Sequence, residues 1–274
     1  MKKLSFYDKL NAASLLLFSP EWRKVKRARK KAESFETPDV TIPTETRKIA
    51  GRMIRLAEAG PSDAPLVVLL SPFPESILSY TGCWEALTEK CRVIAIDLPG
   101  FGASEGDRKD MSPSAQGAHL AAIFDELDLQ NIHLVAPDVG MAAALDYVLN
   151  HNHRLASLAV GHGIGAPGPF KIAFLTNMLA KSSFMRFTTG LFGAGPLIAF
   201  TSKIGAIRNK ANAKQMDDYK RSYSGRAGEI IHWFKDFRPR AKELAARVNE
   251  IELPTLIFWG ELDVLFHPSN AEHL

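Results

Sequence analysis

Apolar residues gather in short unbroken runs between turn residues, and the first clear run is Leu66 to Leu70. It follows the turn Ala59-Gly60-Pro61-Ser62-Asp63 and Pro65, and a continuous run of this length between breakers predicts a buried strand. Arg92 to Ile96, Ile132 to Ala136 and Leu155 to Val160 repeat the pattern, as does Thr255 to Trp259 after Leu253-Pro254. Upstream, Arg47 to Leu56 alternates loosely. Between the second and third runs, Ser112-Pro113 supplies an N-cap and first-turn pair, and Leu120, Ile123, Phe124 and Leu127 share one helical face. Strands that are apolar throughout and alternate with helices predict an α/β fold, a mostly parallel sheet with helices on both faces.

Two stretches break this rhythm. From Gly161 to about Arg240 the chain is rich in Phe, Gly and basic residues, and it predicts a mostly helical insertion. At the other end, Phe6, Leu10, Ala13 and Leu17 have helical spacing, and Pro20 interrupts them before a run in which seven of the ten residues from Trp22 to Lys31 are Lys or Arg. The expected organisation is a basic N-terminal extension over residues 1–40, the first part of the core over 41–163, a helical cap over 164–240 and the second part of the core over 241–274.

Charge is distributed as unevenly as hydrophobicity. Met1 to Glu33 holds ten positive and three negative side chains, a net +7 in a chain whose total is only +4, so the remainder is slightly acidic. That excludes a basic surface spread over the whole body, and with it nucleic-acid binding inferred from overall charge. Two readings of residues 1–33 stay open: a solvated or loosely packed charged extension, or a peripheral contact with an anionic membrane. The two cysteines, Cys83 and Cys91, form neither a disulfide framework nor a metal-binding pair, and a cytoplasmic setting is expected.

The most informative turn is Ala136-Pro137-Asp138-Val139-Gly140, where a strand ends and a helix rich in small residues begins. Small residues on both sides allow the backbone to turn sharply, so a side chain at its apex stands clear of the sheet. A helix N-terminus also favours the ionised form of Asp138. From this turn alone a simple N-cap aspartate remains the competing reading.

With three other motifs, the sequence resembles the α/β-hydrolase superfamily. Leu70-Ser71-Pro72-Phe73-Pro74-Glu75-Ser76 is similar to the family's oxyanion loop, Asp97-Leu98-Pro99-Gly100-Phe101-Gly102-Ala103-Ser104 to its D-x-x-G-x-G-x-S turn, and Asp263 in Trp259-Gly260-Glu261-Leu262-Asp263 to the acid after its late strand. An Asp at the elbow looks most like the epoxide hydrolases and haloalkane dehalogenases. The resemblance implies Asp138 as a nucleophile forming an alkyl ester, Asp263 as the acid, and the backbone N–H groups of Phe73 and Val139 as oxyanion donors. It further implies Tyr219 and Tyr223 as substrate-binding residues, a small-molecule substrate, and no cofactor or metal. An epoxide fits best, an alkyl halide or haloacid is the alternative, and a non-catalytic binding protein of the same fold is the reading from another class.

Two departures temper these expectations. Ser71-Pro72 stands where the family has His-Gly, and Val139 and Phe73 stand where dehalogenases place side chains that bind halide. The chain also ends eleven residues after Asp263. By resemblance the general-base histidine lies beyond a further strand, which leads to the expectation of a truncated form: one lacking that strand and helix, with an uncovered apolar sheet edge, no base and doubtful activity. His267 and His273 are expected at the surface or at a helix start, and Trp233, Phe234 and Phe237 between cap and core.

Overall fold

The structure is a computed structural model that describes residues 20–33, 35–163 and 208–274, with isolated positions between 181 and 205. Its elements run in chain order as α1 (Pro20–Lys31), β1 (Phe35–Glu36), β2 (Thr44–Ile49), β3 (Arg52–Ala59), β4 (Leu66–Leu70), α2 (Trp84–Thr88) and β5 (Arg92–Ile96). They continue with α3 (Pro113–Glu126), β6 (Ile132–Pro137), α4 (Val139–Asn150), β7 (Leu155–Gly161), β8 (Asn209–Lys210), α5 (Ala213–Ser222), α6 (Ala227–Ile230), α7 (Trp233–Ala245) and β9 (Thr255–Phe258).

All five apolar runs are strands of one seven-stranded sheet in the order β2-β3-β5-β4-β6-β7-β9, parallel except for the β2-β3 and β3-β5 pairings. The loosely alternating stretch at Arg47 to Leu56 is a hairpin. Ala50 and Gly51 both have positive φ, 51° and 78°, which gives a two-residue loop the twist that adjacent antiparallel strands need. A second, two-stranded parallel sheet joins β1 to β8.

Why these runs are apolar throughout is clear from their two faces. Val68, Leu70, Ile94 and Ile96 pack with Leu120, Ile123 and Phe124 of α3 and Ala142 to Leu145 of α4. The alternate residues Leu69, Val93 and Ala95 pack on the opposite face with Ile77 and Trp84. Each strand position therefore loses water whichever way it points, and burying one such side chain contributes roughly 1.5–3 kcal/mol. Helix α3 starts where Ser112 Oγ accepts the Ala115 N–H at 3.2 Å, with Pro113 in the first turn. Helix α7 packs on α3 and α4, so the expected cap boundary after residue 240 falls inside an element joined to the core. Strand β9 lies at the sheet edge with Leu256 63% exposed.

The topology fixes where a site can form. After β4 the chain moves outward to β5 on one side, whereas β6 lies on the other side of β4. Loops leaving the carboxyl ends of β4 and β6 therefore diverge and open a crevice, the usual ligand position in such sheets. These are the loops that carry Phe73 to Ser76 and Asp138.

In α1, Arg23, Lys24, Lys26 and Arg27 are exposed while Val25 is 1% exposed, so the helix rests on an apolar contact and turns its charges outward. Among the described residues no helix is long and apolar enough to cross a membrane. The expected helix over Ser5 to Phe18 lies outside the described residues.

Candidate active site

Asp138 stands at the junction of β6 and α4 with φ 53° and ψ −120°, a conformation few L-residues adopt and one that lifts the side chain off the sheet. Its surroundings are shaped to allow this. A Cβ on Gly163 would come within 2.5 Å of the Asp138 carbonyl oxygen, so only glycine fits beside the elbow. The side chain does not cap α4 in the N-cap manner. Instead the Phe73 N–H donates to Asp138 Oδ2 at 2.7 Å, and the Val139 N–H also hydrogen-bonds the carboxylate. The capping alternative left open by the sequence is thereby removed. Burial pushes the Asp138 pKa up to about 6, against the pull of His162 and of the two N–H groups.

The glycine-rich turn after β5 serves this loop from below. The Asp97 carboxylate accepts from Arg55 Nε at 2.5 Å, from the Ile77 N–H at 2.9 Å and from the Ala103 N–H at 2.9 Å, and Ser104 Oγ donates to the Asp97 carbonyl at 2.6 Å. Gly102 has φ 51°, and a Cβ there would overlap the Asp97 carboxyl at 2.1 Å. The turn motif thus builds a buried anion that ties the start of the Ile77–Gly82 3-10 helix to the sheet.

A cavity of about 400 Å³ opens above Asp138 and is lined by Pro72, Phe73, Glu75, His162 and Tyr219 among others. His162 is the residue that sequence reasoning missed. It follows β7, the strand beside β6, and its Nδ1 lies 2.5 Å from Asp263 Oδ2. Asp263 is itself held by the Leu265 and Phe266 N–H groups on Oδ1, at 2.8 and 2.9 Å. Burial works to lower the His162 pKa, but Asp263, Asp138 and Glu75 outweigh it and hold the imidazole above its ordinary value. The structure thus brings a histidine to the cavity wall, where the sequence led to the expectation of none. A signal for it was present in Gly161-His162-Gly163, at the carboxyl end of a strand next to the elbow.

Glu75 also lines the cavity. Burial, together with the charge of Asp138 and against the pull of His162, pushes its pKa up to about 7. The two expected tyrosines part company. Tyr219 lines the cavity. Tyr223 does not: its hydroxyl accepts from the Gly102 N–H at 2.9 Å and donates to the Glu75 carbonyl at 2.7 Å, so it is spent on the protein instead of a substrate. His267 accepts the Ser269 N–H at the start of the last 3-10 helix, 3.2 Å away, and the His273 side chain lies outside the described residues. Trp233 packs edge-on against Phe101 and Phe234 against Phe73, while the Phe237 side chain is outside the described residues.

This sheet, elbow and loop order define a hydrolase fold, and comparison with known proteins agrees. The sequence profile of the alpha/beta hydrolase fold family matches residues 65–274, so the chain belongs to that family. A protein of Bacillus subtilis named for 2-succinyl-6-hydroxy-2,4-cyclohexadiene-1-carboxylate synthase is 26% identical over 79% of this chain and 80% of its own length. Epoxide hydrolase 1 of Caenorhabditis elegans is 23% identical over 94% of this chain and 67% of its own. The crystal structure of haloalkane dehalogenase DbeA from Bradyrhizobium elkani superposes with a TM-score of 0.70 at 20% identity, covering 85% of each chain.

Proposed function

We propose that the protein is an epoxide hydrolase that works through an alkyl ester on Asp138. The observation that supports this most strongly is the Asp138 carboxylate itself, on the cavity wall at a strained elbow, held by two backbone N–H groups, with His162 on the same wall and Asp263 against its ring. A carboxylate that attacks saturated carbon gives an ester that water can cleave, whereas a serine in its place would give an inert ether.

In the first step an Asp138 oxygen bonds to an epoxide carbon, the ring C–O bond breaks, and the departing oxygen takes a proton. Tyr219 and the protonated carboxyl of Glu75 are the donors on the cavity wall. In the second step His162 takes a proton from water, hydroxide adds to the ester carbonyl, and the oxyanion forms where Phe73 and Val139 donate. Collapse expels the diol oxygen, which takes the proton from imidazolium, and the freed Asp138 carboxyl returns a proton to the first-step donor. Proton donors on the wall favour an epoxide over an alkyl halide, since a departing halide needs no proton.

Incubation with a panel of terminal epoxides, followed by acid quench and intact-mass measurement, is expected to show an adduct of one epoxide mass that is absent from Asp138→Asn. Absence of both adduct and turnover across epoxides and haloalkanes would point to the non-catalytic binding reading.

The basic segment extends this proposal to an anionic membrane surface, where apolar substrates concentrate. Each Lys or Arg near such a surface contributes about 1 kcal/mol. Binding to vesicles containing phosphatidylserine is expected to weaken steeply with salt and to vanish when residues 1–33 are deleted. Unchanged binding by the deletion variant would retire the membrane contact.

A further inference from the structure

Helix α5 and the residue that follows it carry three polar side chains that reach the same loop. Gln215 Nε2 donates to the Leu78 carbonyl at 2.7 Å. Asp218 Oδ2 accepts from Ser76 Oγ at 2.6 Å while Arg55 bridges both Asp218 oxygens at 2.7 and 3.1 Å. Tyr223, at the helix end, donates to the Glu75 carbonyl, and its ring meets the Phe73 ring edge-on at 5.4 Å. Residues 75–78 are thus held from above by α5, and from below by Asp97 through the Ile77 N–H. Because the loop's other end carries the Phe73 N–H that donates to Asp138, its position and the geometry of that donor are set together.

We infer that α5 is the positioning element of the oxyanion loop, and that Tyr223 and Asp218 act on the reaction through Phe73 without touching substrate, whereas Gln215 holds the loop from the cavity wall. The inference rests on the alkyl-ester reading of Asp138. It predicts which step suffers. In alkylation Asp138 attacks as a carboxylate, and a looser Phe73 N–H leaves its oxygens no less nucleophilic. In ester hydrolysis the negative charge develops on the Asp138 carboxyl oxygen, and a misplaced donor is then felt in full. One such donor is worth about 10²–10³ in rate in comparable sites, so partial displacement is expected to cost at least about tenfold.

Single-turnover rapid quench with intact-mass detection separates the steps. In Tyr223→Phe, which keeps the ring against Phe73 and removes only the hydroxyl, adduct decay is expected to slow at least about tenfold more than adduct formation does, formation losing only what the Glu75 donor loses by the shift of its loop. Ser76→Ala loosens the same loop without altering α5 and is expected to show the same split. Equal slowing of formation and decay, or decay at the wild-type rate in both variants, would reduce these contacts to ordinary packing and overturn the inference. If the wild-type chain turns over but forms no adduct that depends on Asp138, the alkyl-ester reading falls and this inference with it.

Discussion

His162→Ala stops at the covalent stage: the adduct on Asp138 forms, its mass persists, and kcat falls by roughly 10²–10⁴, the usual contribution of a positioned general base. The variant removes an imidazole that lines the cavity beside Asp263 and leaves the elbow, the oxyanion loop and the first-step donors in place. A pH dependence accompanies this. The base works only as neutral imidazole, and its pKa is raised by Asp263, Asp138 and Glu75 over the opposing effect of burial. Adduct decay is therefore expected to rise with pH through a midpoint above the ordinary histidine value near 6.5. In Asp263→Asn one of the raising charges is gone, so the midpoint moves to lower pH while the maximal rate falls, because the ring also loses its orienting partner. Measuring decay of pre-formed adduct between pH 5 and 9 checks both. A His162→Ala variant that hydrolyses its adduct at the wild-type rate would place the base elsewhere.

The sheet was legible in the sequence because both its faces are covered: the interior residues of β4 and β5 are under pressure to be apolar on either side. The β2-β3 hairpin was not, since Ala50-Gly51 lacks the Asn-Gly signature and alanine accepts positive φ only where the paired strands demand it. Asp138 was visible because an elbow is local, a matter of small neighbours in sequence. His162 belongs to a different kind of information. Its place in the site comes from three strand ends meeting on one edge of the sheet, β6 with Asp138, β7 with His162 and β9 before Asp263; Gly161-His162-Gly163 marks a strand end in the sequence, but which ends are neighbours is set by the topology. Tyr219 and Tyr223 illustrate the limit of spacing in another way. Both are buried, yet the Tyr223 hydroxyl meets the Glu75 carbonyl while Tyr219 lines the cavity.

Glu75→Gln exchanges activity for stability, and the sign of each change follows from one buried proton. The Glu75 pKa stands at about 7 in the folded protein, raised chiefly by burial, against about 4.5 when the chain is unfolded. Below pH 4.5 the carboxyl is protonated in both states and costs nothing by ionisation. Between pH 4.5 and 7 the unfolded chain ionises first, so stability is lost progressively, and above pH 7 the full difference burdens the native state. At 1.36 kcal/mol per unit that burden is about 3 to 4 kcal/mol. Glutamine never ionises and keeps much of the shape, so Glu75→Gln is expected to unfold at a temperature several degrees above wild type at pH 8 and close to wild type at pH 4.5. The same proton serves the reaction. Alkylation needs Asp138 ionised, with its pKa at about 6, and a protonated donor, so kcat/KM is expected to trace a narrow bell whose two limbs report the coupled group rather than either residue alone. In Glu75→Gln only Tyr219 remains to protonate the leaving oxygen. The alkaline limb near pH 7 should disappear, and the plateau should fall by about 10²-fold. A variant with an unchanged pH profile and no thermal gain at pH 8 would show that the Glu75 proton is neither stored in the native state nor passed to the substrate.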